Sequence, residues 1–235
     1  MIDPRILAVN RTSRTDALLI HAVEAIARGD RLRIDIGADE PIELAAAVCP
    51  TLRAGDEIGD AELRALVDRS AEYDTREAAL HLLSYRPRSV RELRDRLVRK
   101  GLDAERIDRC LDALREAGFL DDAAFAEAHT REAVRLRPRG SRRLIAELRQ
   151  KGVAETTASA AVQRVMVDEE SPDGALALRA AQGWYRRAGE DARTLLCGRG
   201  DRADVERVRR RFWGYMSRRG FGPDAIRSAL EGVCA

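Results

Sequence analysis

Aromatic residues are scarce in this chain, ten in 235 positions. So little large flat surface argues against a β-sandwich core and suits helices with thin cores and wide solvated faces. Lysine is nearly missing: arginine supplies 40 of the 42 basic residues, so it is the default surface cation. The four cysteines, Cys49, Cys110, Cys197 and Cys234, are far apart and form no C-x-x-C. They are expected to be small buried thiols in a reduced, cytoplasmic setting. Long apolar runs are also lacking. The most apolar stretch, DALLIHAVEAIA from Asp16, is too short and interrupted to span a bilayer. The opening MIDPRILAVNRTSR has no apolar core, so neither a signal peptide nor a membrane role is expected. There is no P-loop, nucleophile elbow or H-E-x-x-H. His21, His81 and His129 lie in separate helical patterns without ligand spacing, and Asp121-Asp122 reads as a helix cap. The chain reads as a non-enzyme without cofactor or metal.

What the chain does have is a repeat. RKGLDAERI around Gly101 returns as QKGVAETTA around Gly152 and RRGFGPDAI around Gly220. Eight residues before each glycine stand Leu93, Leu144 and Phe212; four before stand Leu97, Leu148 and Met216. Ten after come Leu111, Val162 and Leu230, and thirteen after come Leu114, Val165 and Val233. These offsets put apolar side chains on one face of a helix before the glycine and of another after it. The glycine suits the left-handed residue that ends a helix. Leu102 with Ile107 and Phe221 with Ile226 have staple spacing, and Pro223 falls at a first helical position. REAALHLLSY, GFLDDAAFAEAHTREAV and DGALALRAAQGWYRRA each supply a preceding helix. The expected fold is therefore mainly α: three tandem three-helix modules, over residues 75–118, 119–168 and 172–235. The third is longest, with a polar insertion near CGRGDRAD.

Residues 1–74 do not fit the module and read as a small α+β cap. RLRIDI, GADE and PIEL predict a short hairpin with Leu32, Ile34 and Ile36 alternating and Pro41 at an edge or strand start. TDALLIHAVEAIARG is expected to be a helix ended by Gly29, with a β reading of its first half left open. DAELRALVDRSAEYDTREAALHLLSY reads as one long helical pattern running into the first module.

A total charge of +2 hides strong segregation. Residues 84–101, 135–152 and 202–220 carry +5, +6 and +5, which leaves −14 on the rest. Arg86-Pro87-Arg88-Ser89 and Arg137-Pro138-Arg139-Gly140 stand at the same offset, where the middle helix of each module begins, and Ser89 with Glu92 spells a capping box. Cations at a helix start oppose its dipole, so arginines beside open N–H groups point to an anion site. The plain alternative is a solvated basic face. Lys100 and Lys151, in last turns, fit dipole compensation. Six of the ten aromatics, Trp184, Tyr185, Phe212, Trp213, Tyr215 and Phe221, fall in the third module, where core packing is favoured over base stacking.

ALHLLSYRPRSVRELRDRLVRKG, GFLDDAAFAEAHTR, RPRGSRRLIAELRQKGV and RRGFGPDAI closely resemble the RecX family of bacterial recombination regulators, from about residue 75 onward. The first seventy residues match less well. The resemblance implies an elongated, curved array of the modules. It also implies binding to the RecA recombinase filament on single-stranded DNA, with restraint of its ATPase, strand-exchange and co-protease functions in recombinational repair and the SOS response. The residues expected to carry contact are Arg86, Arg88, Arg91 and Arg94 in the first module, and Arg137, Arg139, Arg142 and Arg143 in the second. Arg210, Arg211 and Arg218 are expected to do so in the third. A monomer is expected. The competing readings are a sequence-specific helix-turn-helix transcription factor and a helical adaptor protein.

Overall fold

The hydrophobic pattern resolves into two compact units. One comprises residues up to Arg86 together with Leu97–Asp112; the other comprises Pro87–Arg96 and Ala113–Ala235. The structure is a computed structural model that describes residues 17–170 and 172–235. The expectation of no signal peptide concerns residues 1–14 and lies outside the described residues.

In the first unit, β1 (Ala17–Leu19) pairs antiparallel with β5 (Glu57–Gly59). A second sheet has the order β2-β3-β4, built from β2 (Ala22–Ile26), β3 (Arg31–Asp35) and β4 (Ile42–Ala45). The hairpin is where the alternation placed it, with Ile34 opposite Ile42 and Leu32 opposite Leu44. Pro41 precedes β4, an edge strand, where a missing N–H costs little.

The expected helix over Thr15–Gly29 is not formed: among the described residues the stretch gives β1 and β2 instead. Its spacing suits a helix, but cross-strand partners override local preference. Val23 lies opposite Ile34, His21 N–H donates to the Asp35 carbonyl at 2.8 Å, and Ile20 is buried among Ile34, Leu44 and Ile58. His21 therefore lies between strands rather than on a helix.

Helix α1 (Asp60–Tyr85) runs unbroken through residues 74 and 75. Leu63 and Leu66 enter the sheet core, and buried Ser70 accepts the Ala45 N–H at 2.8 Å. The helix that follows Gly101, α3 (Ala104–Glu116), is tied to α1 by Arg106–Asp68 at 2.7 Å and Arg109–Glu72 at 3.1 Å.

The remaining helices are α2 (Val90–Arg99), α4 (Asp122–Leu136), α5 (Ser141–Gln150), α6 (Glu155–Asp168), α7 (Asp173–Arg187), α8 (Glu190–Leu196), α9 (Arg202–Arg218) and α10 (Pro223–Cys234). The repeat glycines follow α2, α5 and α9 with φ of 80°, 91° and 84°. In each case the N–H just after the glycine returns to a carbonyl five residues earlier: Leu102 to Leu97, Val153 to Leu148, Phe221 to Met216. The −8 and −4 side chains are all buried; at +10 and +13 the first two copies are buried, while Leu230 and Val233 are half-buried. One core gathers Phe125, Leu144, Leu148, Ala158 and Val162. Another gathers Leu176, Phe212, Met216, Phe221 and Ile226, and takes in Val134 from α4. Asp121 caps α4 by accepting the N–H groups of Ala123 and Ala124 at 2.7 and 3.1 Å.

The third module holds a fourth helix, α8, just ahead of the polar stretch read as an insertion. It also corrects the cysteine reading. Cys197 at the end of α8 and Cys234 at the end of α10 form a disulfide, with Cα atoms 5.3 Å apart and a sequence separation of 37. Tertiary packing alone brings them together, and spacing could not announce it. Cys49 and Cys110 are free thiols, and burial pushes both upward in pKa. Among the described residues no helix is long and apolar enough to cross a membrane.

Candidate functional site

Within the second unit the middle helices of successive modules meet end to end. The Gly140 N–H, at the start of α5, donates to the Arg219 carbonyl at the end of α9 at 2.8 Å. The Ser89 hydroxyl, at the start of α2, donates to the Lys151 carbonyl at the end of α5. The approach is close enough that a Cβ on Gly152 would strike the Arg91 side chain, and one on Gly220 would strike Arg143. These two glycines are thus fixed twice, by positive φ and by the neighbouring helix.

The same junctions repeat a second contact. Asp122, first residue of α4, accepts the Val90 N–H at 2.9 Å, and Asp173, first residue of α7, accepts the Ser141 N–H at 2.9 Å. Both pairs are 32 residues apart. The Ser141 hydroxyl also donates to Asp173 at 2.7 Å, and Ser89 accepts the Glu92 N–H at 3.1 Å. This corrects the sequence reading. The Val90 N–H at the start of α2 and the Gly140 and Ser141 N–H groups at the start of α5 are not open to an outside anion; internal carboxylates and, at α5, the carbonyl end of another helix occupy them.

The arginines concentrate elsewhere, in a cleft of about 840 Å³. The end of α4 and the loop after it contribute Arg135, Arg137 and Arg139, and α5 contributes Arg143. Helix α7 adds Arg179, Arg186 and Arg187, and the end of α9 adds Arg218 and Arg219. Nine guanidinium groups face one lining carboxylate, Glu147. Glu147 is only 14% exposed; it binds Arg139 and also accepts from Arg143 Nε at 2.7 Å. Arg135 is held by Glu169 at 2.6 Å, and that hydrogen bond raises its pKa further. Tyr215 lies in the wall, accepting from Arg187 at 2.9 Å, with the Arg219 guanidinium 3.9 Å from its ring centre. Arg137 and Arg218 have no ion pair among the described residues and are exposed to the cleft. Like charges crowded along a concave wall repel one another, and a bound polyanion relieves that repulsion.

Of the arginines singled out in the sequence, the cleft collects Arg137, Arg139, Arg143 and Arg218. Arg142 borders an adjoining groove of about 460 Å³ that shares Arg143 and Arg218 with the cleft. Arg210 and Arg211 are exposed on α9, up to two turns before Arg218. The first-module group does not join the cleft. Arg88 is 9% exposed and paired with Glu92 at 3.1 Å, so it offers no free cation. Arg91 lays its stem across Gly152, Arg94 is half-buried, and Arg86 is exposed at the end of α1. The sequence reading overlooked Arg179, Arg186 and Arg187, because it followed the middle helices. The available signal was RAAQGWYRR, where Arg179, Gly183 and Arg186 recur at helical spacing with a small residue between them.

Fold and cleft together define a protein of tandem three-helix modules whose chemistry is concentrated in guanidinium groups. Among the described residues no group of His, Cys, Asp or Glu is placed to hold a metal ion. Residues 76–124 match the RecX first three-helix domain and residues 121–162 the RecX second three-helix domain. The regulatory protein RecX of Pelodictyon phaeoclathratiforme is 35% identical over 153 residues, covering 65% of this chain and 84% of that protein. The regulatory protein RecX of Halorhodospira halophila is 34% identical over 66% of this chain and 84% of its own length. A crystal structure of a regulatory protein RecX superposes with a TM-score of 0.65 at 21% identity, covering 91% of this chain and 99% of that one, which speaks for the fold. The chain belongs to the RecX family of regulatory proteins.

Proposed function

We propose that this protein regulates the RecA recombinase by binding its filament on single-stranded DNA and restraining ATP hydrolysis, strand exchange and co-protease activity. The observation that carries this reading is the cleft of nine arginines against one carboxylate. A filament of protein on DNA presents phosphates and carboxylates at regular intervals, and a concave guanidinium wall is complementary to both. Several such contacts at once multiply affinity without any single tight site.

The helix-turn-helix alternative fits less well. Such readers lay the first residues of a recognition helix on base edges. Here the starts of α2 and α5 are covered by the Lys151 and Arg219 carbonyls.

The test is recombinase ATPase on single-stranded DNA with the purified protein added. Arg137, Arg186 and Arg218 are the cleft cations to reverse together, because none is held by an internal carboxylate among the described residues. The triple change to Glu is expected to keep the helical circular dichroism spectrum and lose inhibition by at least about tenfold, as removal of several charge-assisted contacts predicts. Full inhibition by a folded triple variant would remove the cleft from the mechanism.

A further inference from the structure

Trp213 breaks the pattern of its module. Phe212 is fully buried, Phe221 joins the same core, and Trp184 packs edge-on against Phe212 with ring centres 5.3 Å apart. Trp213, one residue and 100° of helix further on, leaves that core and is 38% exposed. It is the one large apolar side chain exposed among the described residues of α7 to α10, and it corrects the expectation that the third-module aromatics serve the core. Covering the exposed part of its indole would remove it from water favourably, so a flat apolar ligand gains by settling there.

What surrounds it is specific in kind. Trp213 lines the 460 Å³ groove with Arg142, Arg143, Ser217 and Arg218. Arg143 and Arg218 also line the large cleft, so the indole stands at the margin of the guanidinium wall. Arg142 and Arg218 have no ion pair among the described residues. A flat apolar face beside donors for phosphate matches a polymer that alternates phosphates with flat apolar rings.

We propose that Trp213 is a stacking platform for an unpaired base of a single-stranded nucleic acid, whose phosphates run between Arg142, Arg143 and Arg218 into the cleft. Aromatic side chains hold single strands in this way because every base has a π face, and cations beside them track the backbone. A duplex keeps its base faces covered by neighbouring bases. An acidic peptide would use the arginines and leave the indole idle. The inference rests on the functional reading above only in that it names the component of the filament this surface touches, and it predicts direct binding without recombinase.

The experiment is fluorescence anisotropy of labelled 20-residue oligothymidylate with the full chain, no recombinase present. A strand of equal length with abasic sites and a duplex of equal length are the comparisons. The unaltered protein is expected to bind oligothymidylate about tenfold more tightly than the abasic strand, the size typical of one or two stacked bases. Trp213→Ala should erase that difference, leaving both strands at the abasic affinity, while Trp213→Phe recovers most of it. Equal affinity of the unaltered protein for normal and abasic strands overturns the proposal. So does an unchanged affinity of Trp213→Ala, or duplex binding as tight as single-strand binding. If no strand binds but recombinase ATPase is still inhibited, this inference falls and the functional reading stands. If strands are discriminated as expected and ATPase is untouched, the functional reading falls instead.

Discussion

At the scale of single residues, His129 and Glu147 show how the cleft is held from behind. Glu147 is the carboxylate on which Arg139 and Arg143 converge, and His129 lies 3.9 Å from it with its ring stacked at 6.1 Å on Phe125. The His129 Nε2 is buried without a hydrogen-bond partner among the described residues. Burial first, then the charge of Lys151, hold this imidazole below its ordinary range; Glu147 pulls the other way and loses. The folded protein therefore binds fewer protons here than the unfolded chain. The stability this contributes is complete above about pH 6.5 and is lost as pH falls through that value toward the lower folded one. His129→Phe is expected to flatten the stability profile on the acid side of about pH 6.5, read by urea denaturation at a series of falling pH values. An unaltered slope would show that His129 is not the group responsible. Most of the buried residues at this scale were legible in advance. Leu93, Leu144, Phe212, Leu97, Leu148 and Met216 are each where a 3.6-residue period put them. Trp213 was not, because periodicity says which face a residue occupies and not whether anything covers that face.

At the scale of elements, the repeated helix ends explain an arrangement that looks unfavourable in one dimension. A helix that starts among arginines opposes its own dipole, by about 0.3–1 kcal/mol for each exposed cation. The start of α5 is offset twice, by the Arg219 carbonyl and by Asp173. The start of α2 is offset in the same way by the Lys151 carbonyl and Asp122. Asp173→Ala removes acceptors for both the N–H and the hydroxyl of Ser141, and should cost about 1–2 kcal/mol, the usual value of a lost cap. Asp173→Asn should cost less, since one carbonyl acceptor remains. Chemical denaturation of the two variants measures the difference, and equal stability of all three proteins would mean the cap carries nothing. The capping residues Ser89 and Asp121 could be seen in the sequence; the partners from 32 residues away could not.

At the scale of the whole molecule, the segregated charge and the disulfide are the features with consequences. Cys197–Cys234 ties the inserted α8 to α10 across 37 residues of sequence. Closing a loop of that length restricts the unfolded chain and typically stabilises by about 2–4 kcal/mol. Cys197→Ala with Cys234→Ala, or reduction of the unaltered protein, should lower the thermal midpoint by several degrees, on the order of 2–4 °C per kcal/mol for a chain of this size. Scanning calorimetry with and without reductant measures it; identical midpoints would mean that the packing of α8 and α10 does not depend on the bond.

The amino-acid sequence by itself determined the helical modules, the glycine stops, the hairpin of β3 and β4 and the basic stretches. Each of these is written in nearest-neighbour spacing, which a helix or strand converts directly into a face. Only the tertiary structure decided the rest. It turned Ala17–Ile26 from a plausible helix into two strands by giving them partners, and paired Cys197 with Cys234. It buried Arg88, and gathered arginines from α4, α5, α7 and α9 into one cleft. Those outcomes depend on which distant surfaces meet, and the energy of such a meeting is shared between segments that one-dimensional spacing does not connect.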